Sequence, residues 1–160
     1  MTIRKVLRHT VRQVGHSSAL AKLGPQFAPH MDRVVHRLTG GRYTATQLVV
    51  PSLVLTTVGR KSGEPRPATL ATLVERGGTF LVVASNFGKE HHPAWSGNLL
   101  ANPEATVSHR GQDHAVVAHL LGPEEKHAVW PKLIATWPAF DTYTDRSGRD
   151  LRVFRLTPIV

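Results

Sequence analysis

The sequence predicts a mainly β domain with helices added, a small antiparallel barrel of six strands preceded by a helical arm. Three observations carry that prediction. From Leu48 onward the apolar residues come in runs rich in Val, Leu and Thr, as in LVVPSLVLTTV and FLVVA. Two glycine-bearing turns, Gly77-Gly78 and Arg110–Asp113, each join a pair of such runs with no room for a helix between them. A doubly wound parallel sheet needs a helix between most strands, and the pattern does not supply one.

The chain begins with a basic, amphipathic helical arm, residues 1–42. Ile3, Val6, Leu7, Val11 and Val14 recur at helical spacing among Arg4, Lys5, Arg8 and Arg12. Phe27, Met31, Val34, Val35 and Leu38 form a second set after Gly24-Pro25, and Gly40-Gly41 ends it. The arm holds eight Lys/Arg against one acid, Asp32, so most of the net charge of +9 sits there. Such an arm either packs on the body or on a second copy of the chain, or meets an anionic membrane surface.

Residues 43–160 form the barrel domain. Its strands lie in LVVPSLVLTTV, ATLATLVERGGTFLVVAS, EATVSHRGQDHAVVAHLL and LRVFRLTP. HPAWSGNLLANP is a short inserted helix, with Pro93 at its start and Asn102-Pro103 as its stop. GPEEKHAVWPKLIATW opens a second helix on Pro123, Glu124 and Glu125, which Pro131 is expected to kink or interrupt.

Composition removes whole classes of function. There is no cysteine, hence no disulfide or thiolate chemistry. No apolar run approaches the roughly 20 residues of a membrane helix. The N-terminus lacks the apolar core of a signal peptide, so a cytoplasmic protein is expected, with the arm peripheral at the inner face of the membrane. The ten histidines show no HxxxH spacing, so no metal site is expected. No GxSxG elbow surrounds any serine.

The most distinctive stretch is GRKSGEPRP, Gly59 to Pro67, directly after the strand LVLTTV. It is neither a P-loop nor a dinucleotide fingerprint. Across a β-turn, Arg60, Lys61 and Arg66 can converge on one anion, with the Ser62 hydroxyl and glycine amides as further donors. A second glycine-bearing loop, ASNFGKEHHPAW, carries Ser85, Asn86 and Lys89. Its strand end, Ala84-Ser85-Asn86, is expected beside Arg66. A cleft with cations on one side and backbone amides on another suits a ligand with a phosphate and a flat polar head.

The blocks TTVGRKSGEPR and HPAWSGNLLANP, followed by WPKLIATWPAFDTYTDRSGRDLRVFRLTP, resemble the deazaflavin-dependent nitroreductase family, in order and with similar spacing over roughly Val50 to Pro158. The resemblance implies a six-stranded split β-barrel of the FMN-binding split-barrel type, and coenzyme F420 as cofactor. It implies that Arg60, Lys61, Ser62, Gly63, Arg66 and Pro67 form the turn that holds the phosphate and acidic tail. It implies that the backbone of Ala84, Ser85 and Asn86 meets the deazaflavin ring, and that Pro93, Trp95 and Asn98 support the pocket. The best-known members carry lysine where this chain has Asn86, and Lys89 is the nearest replacement. Trp137, Phe140 and Tyr143 match substrate-side positions, Trp137 and Phe140 as an apolar wall and Tyr143 as the candidate hydrogen-bond or proton donor, with water as the other source of the proton.

The expected reaction is hydride transfer from reduced F420 to an electron-poor acceptor, which is a quinone, an enone or a nitroaromatic. FMN in the same barrel is the alternative cofactor, and a non-catalytic F420-storage module is the alternative role. Nucleic acid is not expected as a partner, because no aromatic residue is interleaved with the cations of GRKSGEPRP. A small-molecule acceptor and a second copy of the chain are the other partners expected.

Overall fold

The computed structural model describes residues 51–159, together with His30, Met31, Arg33, Val34, Val35, Arg37 and Leu38. Those seven are helical and fall within the second helix read in the arm. The arm's first helix and the boundary at residues 42–43 lie outside the described residues.

Seven strands form one antiparallel sheet: β1 (Ser52–Val58), β2 (Pro65–Ala71), β3 (Leu73–Val74), β4 (Phe80–Val83), β5 (Glu104–His109), β6 (Gln112–Leu120) and β7 (Val153–Pro158). Their order is β2-β1-β5-β6-β7-β4-β3, and the sheet curls into a half-barrel. Helix α1 (Ala94–Ala101) follows β4; α2 (Pro123–Thr136) and α3 (Ala139–Ser147) lie between β6 and β7.

Among the described residues the strand count exceeds the six expected because ATLATLVERGG is not one strand. At Thr72 the chain leaves β2, which pairs with β1, and enters β3, which pairs with β4. Buried Thr72 makes the crossing possible: its amide donates to the Pro51 carbonyl at 2.8 Å and its hydroxyl to the Leu81 carbonyl at 3.0 Å. One continuous run of sequence therefore serves both edges of the sheet. The prolines fit the same geometry. Pro65 and Pro67 lie on β2, an edge strand, where a missing N–H costs no ladder bond.

Alternation sets what each strand buries. On β1, Leu53, Leu55 and Thr57 face inward. On β4 all four residues are buried, because both faces are covered. Phe80 and Val82 join a core with Leu55, Val107, Phe154 and the α1 side chains Trp95 and Leu99. Leu81 and Val83 join a second core under α2 and α3, with Leu133, Phe140 and Tyr143. The expected hairpin turns are present at Gly77-Gly78 and at Arg110-Gly111, where both residues of the latter have positive φ (52° and 78°).

Pro131 does not interrupt α2, which runs through it to Thr136. At the start of the helix the Gly122 amide donates to the Glu125 carboxylate at 3.0 Å, the half of a capping box that a glycine N-cap allows. AFDTYTDRS forms the separate helix α3 although its threonines and aspartates are weak helix formers.

Candidate functional site

β1 and β2 meet in a hairpin through the basic turn. The Gly59 amide donates to the Glu64 carbonyl at 2.8 Å, and the Gly63 amide to the Gly59 carbonyl at 2.7 Å. The Ser62 hydroxyl oxygen accepts from the Glu64 amide and from Arg66 Nη2, both at 3.2 Å. The serine thus holds Arg66 against the turn that carries Lys61.

A buried polar relay ties this turn to α1. The Arg60 amide donates to Asn98 Oδ1 at 3.1 Å, and Asn98 Nδ2 donates to Thr57 Oγ1 at 3.0 Å. Asn98 is 5% exposed and Thr57 is 1% exposed, so neither has water as a substitute partner. Arg60 also reaches across the start of α1, donating from Nη1 to the Ala94 carbonyl at 3.3 Å. Only glycine at position 97 leaves room for that side chain: a Cβ there would collide with Arg60 Nη1. Gly97→Ala is therefore expected to displace the guanidinium and weaken anion binding about tenfold, or ~1.4 kcal/mol, with little change in thermal midpoint. Fluorescence titration and thermal melting check both halves.

Turn and helix enclose an open cavity of about 440 Å³. Arg60, Lys61, Ser62 and Arg66 form its polar side; Pro67, Ala68, Ala94 and Trp95 give it an apolar floor, with Asn98 between. No carboxylate lines it among the described residues. Three cations beside an apolar floor fit a ligand with an anionic tail and a flat ring.

The cavity thus gathers Arg60, Lys61, Ser62, Arg66, Pro67, Trp95 and Asn98. Gly63 sits in the turn at φ 72° without lining it. The second loop does not line the cavity: Ala84, Ser85, Asn86 and Lys89 are not among its lining residues, and β4 pairs with β3 and β7 rather than with β2. Asn86 turns its amide into its own loop, donating to the His91 carbonyl at 3.0 Å, while Lys89 is exposed. Trp137, Phe140 and Tyr143 lie in or against the α2/α3 core, away from the cavity lining. Tyr143 is 2% exposed; burial pushes its phenol above the usual tyrosine range, only partly offset by a hydrogen bond from Trp137.

Two participants escaped the sequence. Thr57 was legible as a polar residue at an inward-facing strand position, a signal for a buried hydrogen bond. Arg149 carried no local signal; it binds the 84–92 loop from 57 to 65 residues away. Its Nη1 lies 2.7 Å from His92 Nδ1, which must accept. Burial, then Arg152 and Arg149, hold the His92 imidazole below its usual pKa. This contact's stabilisation is complete above the ordinary value of about pH 6.5 and is lost as pH falls through the lower folded value. The gap in thermal midpoint between wild type and His92→Ala is expected to shrink on acidification across that window.

The fold is that of a split β-barrel, with a cavity at its first hairpin lined by three cations. The family model for F420H(2)-dependent quinone reductases matches residues 30–158, and the chain belongs to that family. A quinone reductase of Mycobacterium tuberculosis named as F420H(2)-dependent is 29% identical over 133 residues, covering 78% of this chain and 80% of its own length. The solved F420-H2 dependent reductase FDR-A is 32% identical with a TM-score of 0.60, covering 66% of this chain and 93% of that one. A chain solved as a domain-swapped dimer is 29% identical with a TM-score of 0.62, covering 78% and 94%. The family's cofactor is coenzyme F420; among the described residues no group of three His, Asp or Glu stands ready for a metal.

Proposed function

We propose that the protein is an F420H2-dependent reductase whose acceptor is a quinone. The observation that carries this reading is the convergence of Arg60, Lys61 and Arg66 on one cavity floored by Trp95. Arg60, Lys61 and Arg66, with Ser62, hold the phosphate and acidic tail, and Asn98 fixes the turn that presents them. When bound, the reduced deazaflavin supplies a hydride, two electrons and one proton's nucleus, to the acceptor. The backbone of Ala84, Ser85 and Asn86 faces its ring on this reading.

The acceptor then needs one further proton to become a quinol. Burial of Tyr143 and its raised pKa favour solvent at the open cavity as the source, with Trp137, Phe140 and Tyr143 as packing. No nucleophile constellation is required. The test is turnover: reduced F420 is expected to be reoxidised by a water-soluble quinone with one quinol formed per F420H2. Faster reoxidation by enones or nitroaromatics than by any quinone would overturn the choice of acceptor.

The basic arm supports attachment to an anionic membrane, where lipophilic quinones dissolve. No helix among the described residues is long and apolar enough to cross a membrane. Deleting residues 1–24 is expected to abolish cosedimentation with anionic vesicles and leave reduction of a soluble quinone intact. Unchanged cosedimentation would remove the membrane from the account.

A further inference from the structure

The 84–92 loop leads from β4 into α1, and its conformation is strained. Asn86 and Phe87 are consecutive non-glycine residues at positive φ, 46° and 55°. Such a pair persists only where surrounding contacts over-determine it. Gly88 seats the loop on α3: a Cβ there would lie 3.2 Å from Tyr143 Cα and from the Arg146 side chain.

One side chain binds both ends of this loop. Arg149 donates to the carbonyls of Ala84 at 3.3 Å and Ser85 at 2.9 Å, where the loop begins. It also donates to the Lys89 carbonyl at 2.9 Å and meets His92 Nδ1 at 2.7 Å, where the loop ends. Only a guanidinium offers donors in so many directions from one rigid plane. Its partners are neutral acceptors, so the charge is not cancelled by a carboxylate at hydrogen-bond distance. Arg152 stands close enough for its charge to act on Arg149, and it donates to the buried Ser96 hydroxyl at 3.0 Å.

We propose that Arg149 is a positioning residue, a clamp that closes the 84–92 loop and so sets the backbone that Ala84, Ser85 and Asn86 present to the cofactor. The cofactor part of this statement rests on the function proposed above; the clamp itself does not. A lysine at 149 keeps the charge and loses the fork, since one ammonium cannot span acceptors at both ends of the loop.

The experiment compares full-length wild type, Arg149→Met, Arg149→Lys and His92→Ala by amide hydrogen exchange and by F420 fluorescence titration. Exchange of the 85–91 amides is expected to rise about tenfold in both Arg149 variants and less in His92→Ala, with the sheet unchanged. F420 affinity is expected to fall about five- to tenfold in the same order. Wild-type exchange in Arg149→Lys overturns the clamp, since charge alone then suffices. Should Arg149→Met not fold, His92→Ala and Arg149→Lys still decide: unchanged loop exchange in both overturns the clamp. A loosened loop in a protein that never binds F420 upholds the clamp and removes the cofactor reading. Tight F420 binding with unaltered exchange and affinity in every variant does the reverse.

Discussion

The double variant Lys61→Ala/Arg66→Ala is expected to lose F420 affinity by roughly 100- to 10,000-fold. Each charge-assisted hydrogen bond to an anionic group is worth about 1.5–3 kcal/mol, and a factor of ten corresponds to about 1.4 kcal/mol. Both side chains line the cavity and both are exposed, so little of the fold depends on them. Arg66 has one side-chain bond, to Ser62. Stability should therefore stay within about 0.5 kcal/mol of wild type. Because the attraction is electrostatic and open to solvent, wild-type affinity should also fall as salt rises, and the double variant, left with Arg60 alone, should show a much weaker salt dependence. Fluorescence titration at low and high ionic strength reads both effects. A double variant that binds F420 as wild type does would place the anion site elsewhere.

The largest expected loss of stability comes from Asn98→Leu. The two side chains are similar in size, so the cost is chemical. Leucine leaves the Arg60 amide without its acceptor and removes the donor that meets Thr57 Oγ1, whose hydroxyl keeps only a long bond to the Arg66 carbonyl at 3.5 Å. Each buried polar group left unpaired costs about 1–3 kcal/mol, giving roughly 2–4 kcal/mol for the pair once partial solvation of the Arg60 amide is allowed for. At this chain length that corresponds to a fall of about 5–15 °C in thermal midpoint. F420 affinity should fall as well, because the turn loses its tie to α1. A second substitution separates the two effects. Thr57→Val in the Asn98→Leu background replaces the other buried partner with an apolar group and should restore much of the stability, while F420 affinity stays low. Recovery of both would show that the relay stabilises the fold without shaping the site.

The residues that line the cavity were more legible in the sequence than the sheet that gathers them. The basic turn, the α1 motif and the two glycine turns are local: each lies within about a dozen residues and obeys short-range rules of turn and helix chemistry. The alternation Leu53, Leu55, Thr57 was equally plain, although its third member hid a hydrogen-bond partner 41 residues away. What stayed hidden depends on register. ATLATLVERGG looks the same whether Thr72 continues a strand or carries the chain from one sheet edge to the other; only its bonds to Pro51 and Leu81 decide. The same gap hid the pairing of β4, which joins β3 and β7 rather than the strand that carries Arg66. Arg149 is the extreme case. An arginine in a polar stretch after α3 has many solvent-exposed precedents, and its acceptors are backbone carbonyls that no side-chain pattern announces.

The account's central claim is that the cavity between the basic turn and α1 holds the anionic end of a deazaflavin. Its most direct test is a fluorescence titration of the purified full-length protein with oxidised F420 and, separately, with FMN. The account predicts saturable binding of F420, weakened by salt, with FMN binding much more weakly because it lacks the acidic tail that three cations can grip. Tight FMN binding with no F420 binding would contradict it.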